Sequence, residues 1–517
     1  MSFFSHARRF SFAVLAVILF IYLFVFQLAA IWPFTIDDMY IPLRYAKHWA
    51  MGYGLLWNIG EAPVEGYSNF IFVVLARLAI LLKLSPVIVL KSAGIAGLFA
   101  TCLALYALSR FWFKPKLAIL PCFCLLAYIG QIVWAVSGLE TTIYQACIAG
   151  SVVFIFRGLG YGFYPYPRQA PRYFMFIIAG LFLVFAGLTR PEAPVLMVLF
   201  AALLVKALAQ SSTRVRALCY FSLPILILFV PYFVWRWHYF GHLFPNSIYC
   251  KALIKNALFY LDKDYLRLLG PFALLALFAR RGNPDERFPF LYLPSVFYLL
   301  LLVMAHPVSV YYNRLFLAAW TLLLPMAFLG LYFLMVGGVS QGARASLLDL
   351  QHDRHQTYIK LYAAFLVLVV AWIPMQSLMA YRYSTIDLVN GVKLRAAIAT
   401  WLNQNSKTGR VVLGDCGLIP YFAPTVRFID AYCLNNAEMT QGSRTPRFED
   451  WCENILKTKP EVVILYHTVQ NEPQSLYYFV DVCLAKQLSQ YKNYRMTRFM
   501  QKGLQSTLEY DVYTATQ

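Results

Sequence analysis

The sequence predicts a polytopic α-helical membrane protein with about 11–13 transmembrane helices and a small extracytoplasmic α/β domain at its C-terminal end. Three observations carry that expectation. Of the 517 residues, 60% are hydrophobic and 13% are charged, whereas soluble domains carry roughly a quarter charged residues. Apolar runs of bilayer-crossing length recur as far as residue 380. Beyond residue 385 the pattern changes to alternating helix and strand.

The first apolar run, 10–32, follows "HARRF". It exceeds the roughly 7–15-residue core of a secretory signal, so it reads as an uncleaved span with Arg8 and Arg9 in the cytoplasm. Further spans fall at 68–84, 86–109, 139–157, 173–189, 193–209, 217–235, 265–280, 289–305, 314–336 and 359–380. The segment 117–137 is read as a pair of short helices dipping in and out. This map puts Lys83, Arg157, Arg168, Arg172, Lys206, Arg214, Arg216, Arg280, Arg281, Arg287, Arg344 and Lys360 in the cytoplasm, as the positive-inside rule asks. Arg110, Lys114 and Lys116 are its exception, because they face out.

Residues 1–384 thus form the membrane domain, with an outer loop at 33–67, and residues 385–517 form the exported domain. In the latter, "LRAAIATWLNQN" reads as an amphipathic helix, and "GRVVLGD", "VRFIDA" and "KPEVVILYH" read as strands. The net charge of +20 comes without a basic arm or reader motif, so nucleic acid is not an expected partner. Membrane lipid and a phosphate-bearing substrate are. Cys122 and Cys124 read as small buried residues, whereas Cys416, Cys433, Cys452 and Cys483 have disulfide potential if exported.

The outer face collects the polar residues. Asp37 and Asp38 stand where the first run ends, which suits either a helix cap or a general base at the membrane boundary. Arg44 and Lys47 share one face of the helix that follows, Glu61 and Glu65 flank "APV", and "EGYSN" leads onward through Asn69. "SGLETTIY" places Glu140 at a helix start, where an acid is favourable in any case. "LTRPEAP" places Arg190 and Glu192 at a span boundary, and "WRWHYF" sets Arg236 and His238 among interfacial aromatics. Arg314 enters an apolar run through "YYNRLF", positioned to snorkel or to reach a phosphate. Asp415, Cys416 and Asp430 read as turn and packing residues.

Read in order, "IDDMYIPLRYAKHWAMGYGLLWNIGEAPVEGYSNF", "WAVSGLETTIY", "LTRPEAP", "YFGHLFPNSIYCK" and "GDCGLIPYFAPTVRFIDAYCLNN" resemble the GT-C glycosyltransferases of bacteria. The closest pattern is that of the mycobacterial terminal arabinofuranosyltransferases and their relatives. Its usual form is a DDA-Y-x-x-x-RYA helix, a G-x-G-L-x-x-N turn, an EGY-[ST]-N entry, a GLET and a TRPE. Met39 departs from it, standing where a small residue is usual.

The resemblance implies an enzyme of the bacterial inner membrane. It would move a sugar from a polyprenyl-phosphate donor to an extracytoplasmic cell-envelope glycan or glycolipid by one inverting displacement. Asp38 first, or Asp37, would be the base. Arg44, Arg190, Arg236, Lys251 and Arg314, with His238 and Tyr40, would hold the departing phosphate. Glu65, Glu140, Glu192 and Asn69 would hold sugar or acceptor groups. No cofactor is required on this scheme, and a divalent metal is not expected, although an acid pair has the chemistry to hold one. A transporter or flippase, or a polymerase or ligase moving a whole glycan, are the alternatives.

Overall fold

The protein is seen in a computed structural model that describes residues 21–22, 24–209, 213–252, 263–282, 285–304, 314–337, 389–405, 409–436, 448–470, 475–477, 479–491, 493–502 and 506–516. Residues 24–31 are the described helical end of the first apolar run, and the expected span at 359–380 lies outside the described residues. The helices that follow are α1 (Tyr40–Ala50), α2 (Phe70–Leu81), α3 (Pro86–Ser109), α4 (Leu120–Ala127), α5 (Ile129–Val136), α6 (Thr141–Gly158) and α7 (Tyr173–Thr189). Then come α8 (Ala193–Ala207), α9 (Arg214–Pro224), α10 (Val230–Phe240), α11 (Asn246–Ala252), α12 (Lys263–Gly282), α13 (Pro289–Met304) and α14 (Leu317–Gly337).

Local sequence explains the boundaries. Ser85 caps α3 by accepting the Ile88 N–H at 3.4 Å, and Pro86 opens the helix where no N–H is needed. At 24 residues α3 is about 36 Å long, enough to cross a hydrocarbon core of about 30 Å. Gly241 ends α10 at φ +76°, the left-handed conformation a helix terminus often requires. Interhelical hydrogen bonds hold the bundle in apolar surroundings: Gln145 Nε2 donates to the Thr321 hydroxyl at 3.0 Å, and Gln131 and Gln145 exchange amide bonds at 2.9 and 3.0 Å.

Two expectations about the membrane path are corrected. Helix α2 has only 12 residues, about 18 Å. Asn69, just before it, bonds Glu140, and Lys91, in the second turn of the next helix, α3, bonds the carbonyls of Trp32 and Phe34. Arg77, midway along α2, lies 4.0 Å over the Trp49 ring of α1. Helix α2 therefore stays on the site face. The segment 115–136 is bent by 71° at Tyr128, and its two ends meet opposite ends of α6: Phe111, shortly before it, packs on Phe156, while Ser137, just after it and ahead of α6, accepts the Ile36 N–H.

Helix pairing gives the direction. Helices α3 and α6 run parallel, with the Thr101 hydroxyl on the Thr142 carbonyl at 2.8 Å near one end and Phe111 packed on Phe156 near the other. At that far end Arg110 donates to the Tyr164 carbonyl at 3.2 Å, and Trp112 donates to Asp285 at 3.0 Å. Arg110, Lys114 and Lys116 thus share a face with Arg157, Arg168 and Arg287, and the charge-rule exception disappears. Lys83 moves to the opposite face, with the acid pair.

The C-terminal domain has helix 389–405, strands β1 (Arg410–Leu413), β2 (Arg427–Asp430), β3 (Val462–Gln470), β4 (Ser475–Tyr477), β5 (Tyr494–Lys502) and β6 (Ser506–Ala515), and helices α15 (Leu418–Phe422), α16 (Phe448–Lys457) and α17 (Phe479–Leu488). The sheet order is β2-β1-β3-β6-β5, with β4 on β3. Strand β1 pairs parallel with both β2 and β3, whereas β3–β6 and β5–β6 are antiparallel.

The outer loop is built into this domain. Asn58 Nδ2 donates to the Phe428 carbonyl at 2.9 Å while its Oδ1 accepts the Phe428 N–H at 3.2 Å, so one side chain satisfies the edge of β2. Asn246 donates to the Cys433 carbonyl at 2.7 Å, and Cys250 is disulfide-bonded to Cys433. Cys452 pairs with Cys483, whereas Cys122, Cys124 and Cys416 are free and buried.

Two outcomes follow. A thiol-specific reagent that does not cross the membrane should label Lys116→Cys from the same side as Arg168→Cys, and Lys83→Cys from the same side as Tyr53→Cys. The reverse grouping would contradict the path drawn for α2 and 115–136. Cys433→Ser should lower the apparent melting midpoint in detergent, corresponding to about 2–5 kcal/mol for a lost native bridge. An unchanged midpoint would show that the bridge does not tie domain to loop.

Candidate active site

The acid pair opens a single 3₁₀ turn, Asp37–Met39, before α1. That turn is tied by backbone to the Ser-Gly break ahead of α6: the Ile36 N–H donates to the Ser137 carbonyl at 3.3 Å. Gly138 has φ +84°, and a Cβ there would overlap the Met39 sulfur. The Met39 departure is thus a packing choice, with the side chain fully buried against a glycine.

Glu140 follows that break at the N-terminus of α6 and is completely buried. Its Oε1 accepts from Arg314 Nη2 at 2.7 Å and from Arg190 Nη1 at 3.1 Å, and its Oε2 accepts from Asn69 Nδ2 at 2.8 Å. Burial pushes the Glu140 carboxyl up, but Arg314, Arg190, its backbone hydrogen bond and Asn69 outweigh burial and hold it below the ordinary value. It is an anion fixed by three separate chain segments. Arg190 is also bonded to Glu192, and Arg314 lies 5.1 Å over the Trp134 ring.

Asp37, Asp38, Asn69, Arg190 and Arg314 line one cavity of about 250 Å³. The two aspartates differ in their surroundings. The Asp37 side chain is 12% exposed and its two oxygens accept the Gly417 N–H at 2.7 Å and the Leu418 N–H at 2.8 Å. A Cβ on Gly417 would overlap the Asp37 carbonyl, so only glycine permits this approach. Burial pushes the Asp37 carboxyl up to about 7 against the pull of Arg395, with Asp415 and Asp38 adding to the rise and the Leu418 N–H opposing it. Asp38 is 55% exposed and stands 3.9 Å from Arg314.

The cavity's other wall belongs to the C-terminal domain: Gly414, Asp415, Cys416, Tyr432, Tyr466 and Asp481. Arg395 bridges the two walls, 3.5 Å from Asp37 and 2.9 Å from Asp415. Asp415 therefore reaches the cavity, although its sequence context reads as a plain turn. Asp430 keeps its turn role, accepting from the N–H groups of Tyr432 and Asn435 at 2.7 and 2.8 Å.

Several sequence candidates lie elsewhere. Arg44 is buried and donates to the carbonyls of Trp57 (2.8 Å), Val426 (3.3 Å) and Pro420. Its donors join loop to domain instead of facing the cavity. The Tyr40 hydroxyl meets Thr35 at 3.2 Å, and its ring packs on Tyr421 and Phe422. Arg236 and Glu65 form a buried ion pair at 2.5 Å. His238 is exposed on α10, and the side chain of Lys251 lies outside the described residues. Arg395 and Asp481 escape a sequence reading, since each meets its partners only through tertiary packing. Among the described residues no group of three or more His, Cys, Asp or Glu side chains is placed to hold a metal ion.

Residues 384–513 match a family described as Domain of unknown function (DUF8728). No curated protein matches the sequence. Solved structures do. ArnT from Cupriavidus metallidurans bound to undecaprenyl phosphate aligns over 96% of this chain and 97% of its own at 12% identity, with a TM-score of 0.58. The same protein in the apo state gives 14% identity and 0.55 over 96% and 98%. The archaeal oligosaccharyltransferase AglB from Archaeoglobus fulgidus, in complex with an inhibitory peptide and a dolichol-phosphate, aligns over 92% of this chain and 79% of its own at 10% identity and 0.54. At such identities the likeness is one of fold: this chain shares the fold of ArnT and of AglB.

Proposed function

We propose that the protein is a membrane glycosyltransferase that moves a monosaccharide from a polyprenyl-phosphate donor to a hydroxyl of an extracytoplasmic envelope glycan or glycolipid. One observation carries this reading: an open carboxylate, Asp38, and two anchored arginines, Arg190 and Arg314, line the same cavity at the membrane boundary. Two structural neighbours hold lipid phosphates, and their fold is shared.

The chemistry is a direct displacement. Asp38 accepts the proton of the acceptor hydroxyl while that oxygen bonds the anomeric carbon and the carbon–oxygen bond to phosphate breaks. Configuration inverts, and polyprenyl phosphate leaves with the bonding electrons. Arg314 and Arg190 meet the charge that grows on the phosphate, and Glu140 holds both guanidinium groups in place before the reaction begins. Asp37 holds the C-terminal domain against the loop through two backbone N–H groups. The positive-inside pattern, with Arg110, Lys114, Lys116 and Arg168 on the far face, supports an extracytoplasmic site and an exported C-terminal domain in a bacterial inner membrane. The two disulfides agree with export to an oxidising compartment.

Purified protein incubated with a panel of polyprenyl-phosphate monosaccharides and envelope extract should release polyprenyl phosphate. Asp38→Asn should reduce that release by about 10²–10⁴-fold while keeping the melting midpoint. Full activity in Asp38→Asn would remove the assigned base, and no release with any donor would remove the enzyme reading.

The Asp37 role has its own signature. The folded-state carboxyl titrates at about 7, against about 3.9 for a free aspartate, so the folded protein holds the extra proton between those values. The stability this contributes is complete below pH 4 and is lost as pH rises to 7. The melting midpoint of wild type should therefore fall relative to Asp37→Asn across that window, by the equivalent of about 1.4 kcal/mol per pH unit. Parallel curves for the two proteins would contradict the buried clamp.

A further inference from the structure

The C-terminal sheet presents a feature that the transfer chemistry leaves unused. In the order β2-β1-β3 the chain passes from β1 to one neighbour and returns to pair β3 on the other side. Such a reversal opens a crevice beyond the carboxyl ends of the parallel strands, where open α/β sheets hold ligands. Here the crevice lies between β1 and β3, and it opens into the cavity of the acid pair: Gly414 and Asp415 follow β1, Tyr466 belongs to β3, and all three line that cavity.

Asp481, in the first turn of α17, lines the same cavity. Strand β1 ends at Leu413, so the Tyr466 N–H lies beyond its last paired residue, and Asp481 Oδ2 accepts it at 3.3 Å. The residue is 3% exposed and lines the cavity. Among the described residues its Oδ1 has no hydrogen-bond partner. Gly414 keeps the approach open: a side chain there would stand 3.6 Å from Oδ1. A buried polar oxygen without a partner is unfavourable, and a ligand's hydroxyl that pairs with it removes that cost on binding. Burial pushes the Asp481 carboxyl well up against the pull of the Tyr466 N–H, with nearby Asp415 adding to the rise. Arg395 offsets the charge of Asp415 beside it. The wall thus suits a hydroxyl better than a cation. The same cavity is lined by Arg190 and Arg314 of the membrane domain.

We propose that this crevice, with Asp481 as its hydrogen-bonding group, is the subsite for a hydroxylated sugar ring of the acceptor. The assignment to acceptor rather than donor rests on the glycosyltransferase reading, which places the donor phosphate at the two arginines.

The test is binding, independent of turnover. Methyl α-D-arabinofuranoside, methyl α-D-mannopyranoside and methyl β-D-galactopyranoside are titrated against the full-length protein in nanodiscs by saturation-transfer NMR. At least one should bind wild type, with affinity about tenfold weaker in Asp481→Ala. Binding should stay within about twofold in Asp481→Asn, which keeps a hydrogen-bonding side chain of the same shape. Equal binding by Asp481→Ala and wild type, or no binding of any glycoside to wild type, would each overturn the subsite. Donor turnover in the release assay is read separately. Turnover with unaltered glycoside binding in Asp481→Ala sinks only the subsite, and sugar binding without turnover sinks only the transferase reading.

Discussion

A single buried carboxylate, Glu140, is the fixed point on which the site depends. It carries its charge in an interior where an unpaired anion would cost several kcal/mol, and it is tolerated because Asn69, Arg190 and Arg314 all turn towards it. Those partners come from the start of α2, the end of α7 and the entry to α14. One charge thus gathers three distant segments and aims two guanidinium groups at one cavity. The pair geometry is rigid before any ligand arrives, which is what stabilising a departing phosphate requires.

The second constraint is the seat of the C-terminal domain on the outer loop. It is made mostly of backbone groups: Asp37 on the N–H groups of Gly417 and Leu418, Asn58 on the edge of β2, and Arg44 on three carbonyls. Backbone groups tolerate side-chain change, but they demand close approach, and Gly417 supplies it. The acid pair is divided by this arrangement, one carboxylate engaged in holding the domain and the other left open beside Arg314.

Much of this was legible in the sequence where chemistry is local. The adjacent aspartates, the Ser-Gly break before Glu140 and the Arg190-Pro-Glu192 corner are each short signals, and the structure brings them together. Strands β1, β2 and β3 were legible from their apolar runs. Hydropathy failed at α2 and at 115–136, because it reports composition and not where a helix ends. The stacking of Arg77 on Trp49 settles the path of α2, and no window average contains it. Arg44 and Arg236 carried the right charge, but their partners, the carbonyls around 420–426 and Glu65, appear only on folding. Arg395 lies in a helix that the sequence predicts and Asp481 in a segment whose local pattern signals nothing, but the partners of each come only from a sheet that closes onto a loop more than 350 residues earlier.

The account turns on where a lipid phosphate rests. An electron-microscopy structure of the protein in nanodiscs with undecaprenyl phosphate would test it most directly. The account predicts phosphate density in the cavity between Arg190 and Arg314, within hydrogen-bond reach of at least one guanidinium, with Asp38 facing the same space. Phosphate density at the far face, beside Arg168 and Arg287, with the acid-pair cavity unchanged, would contradict it.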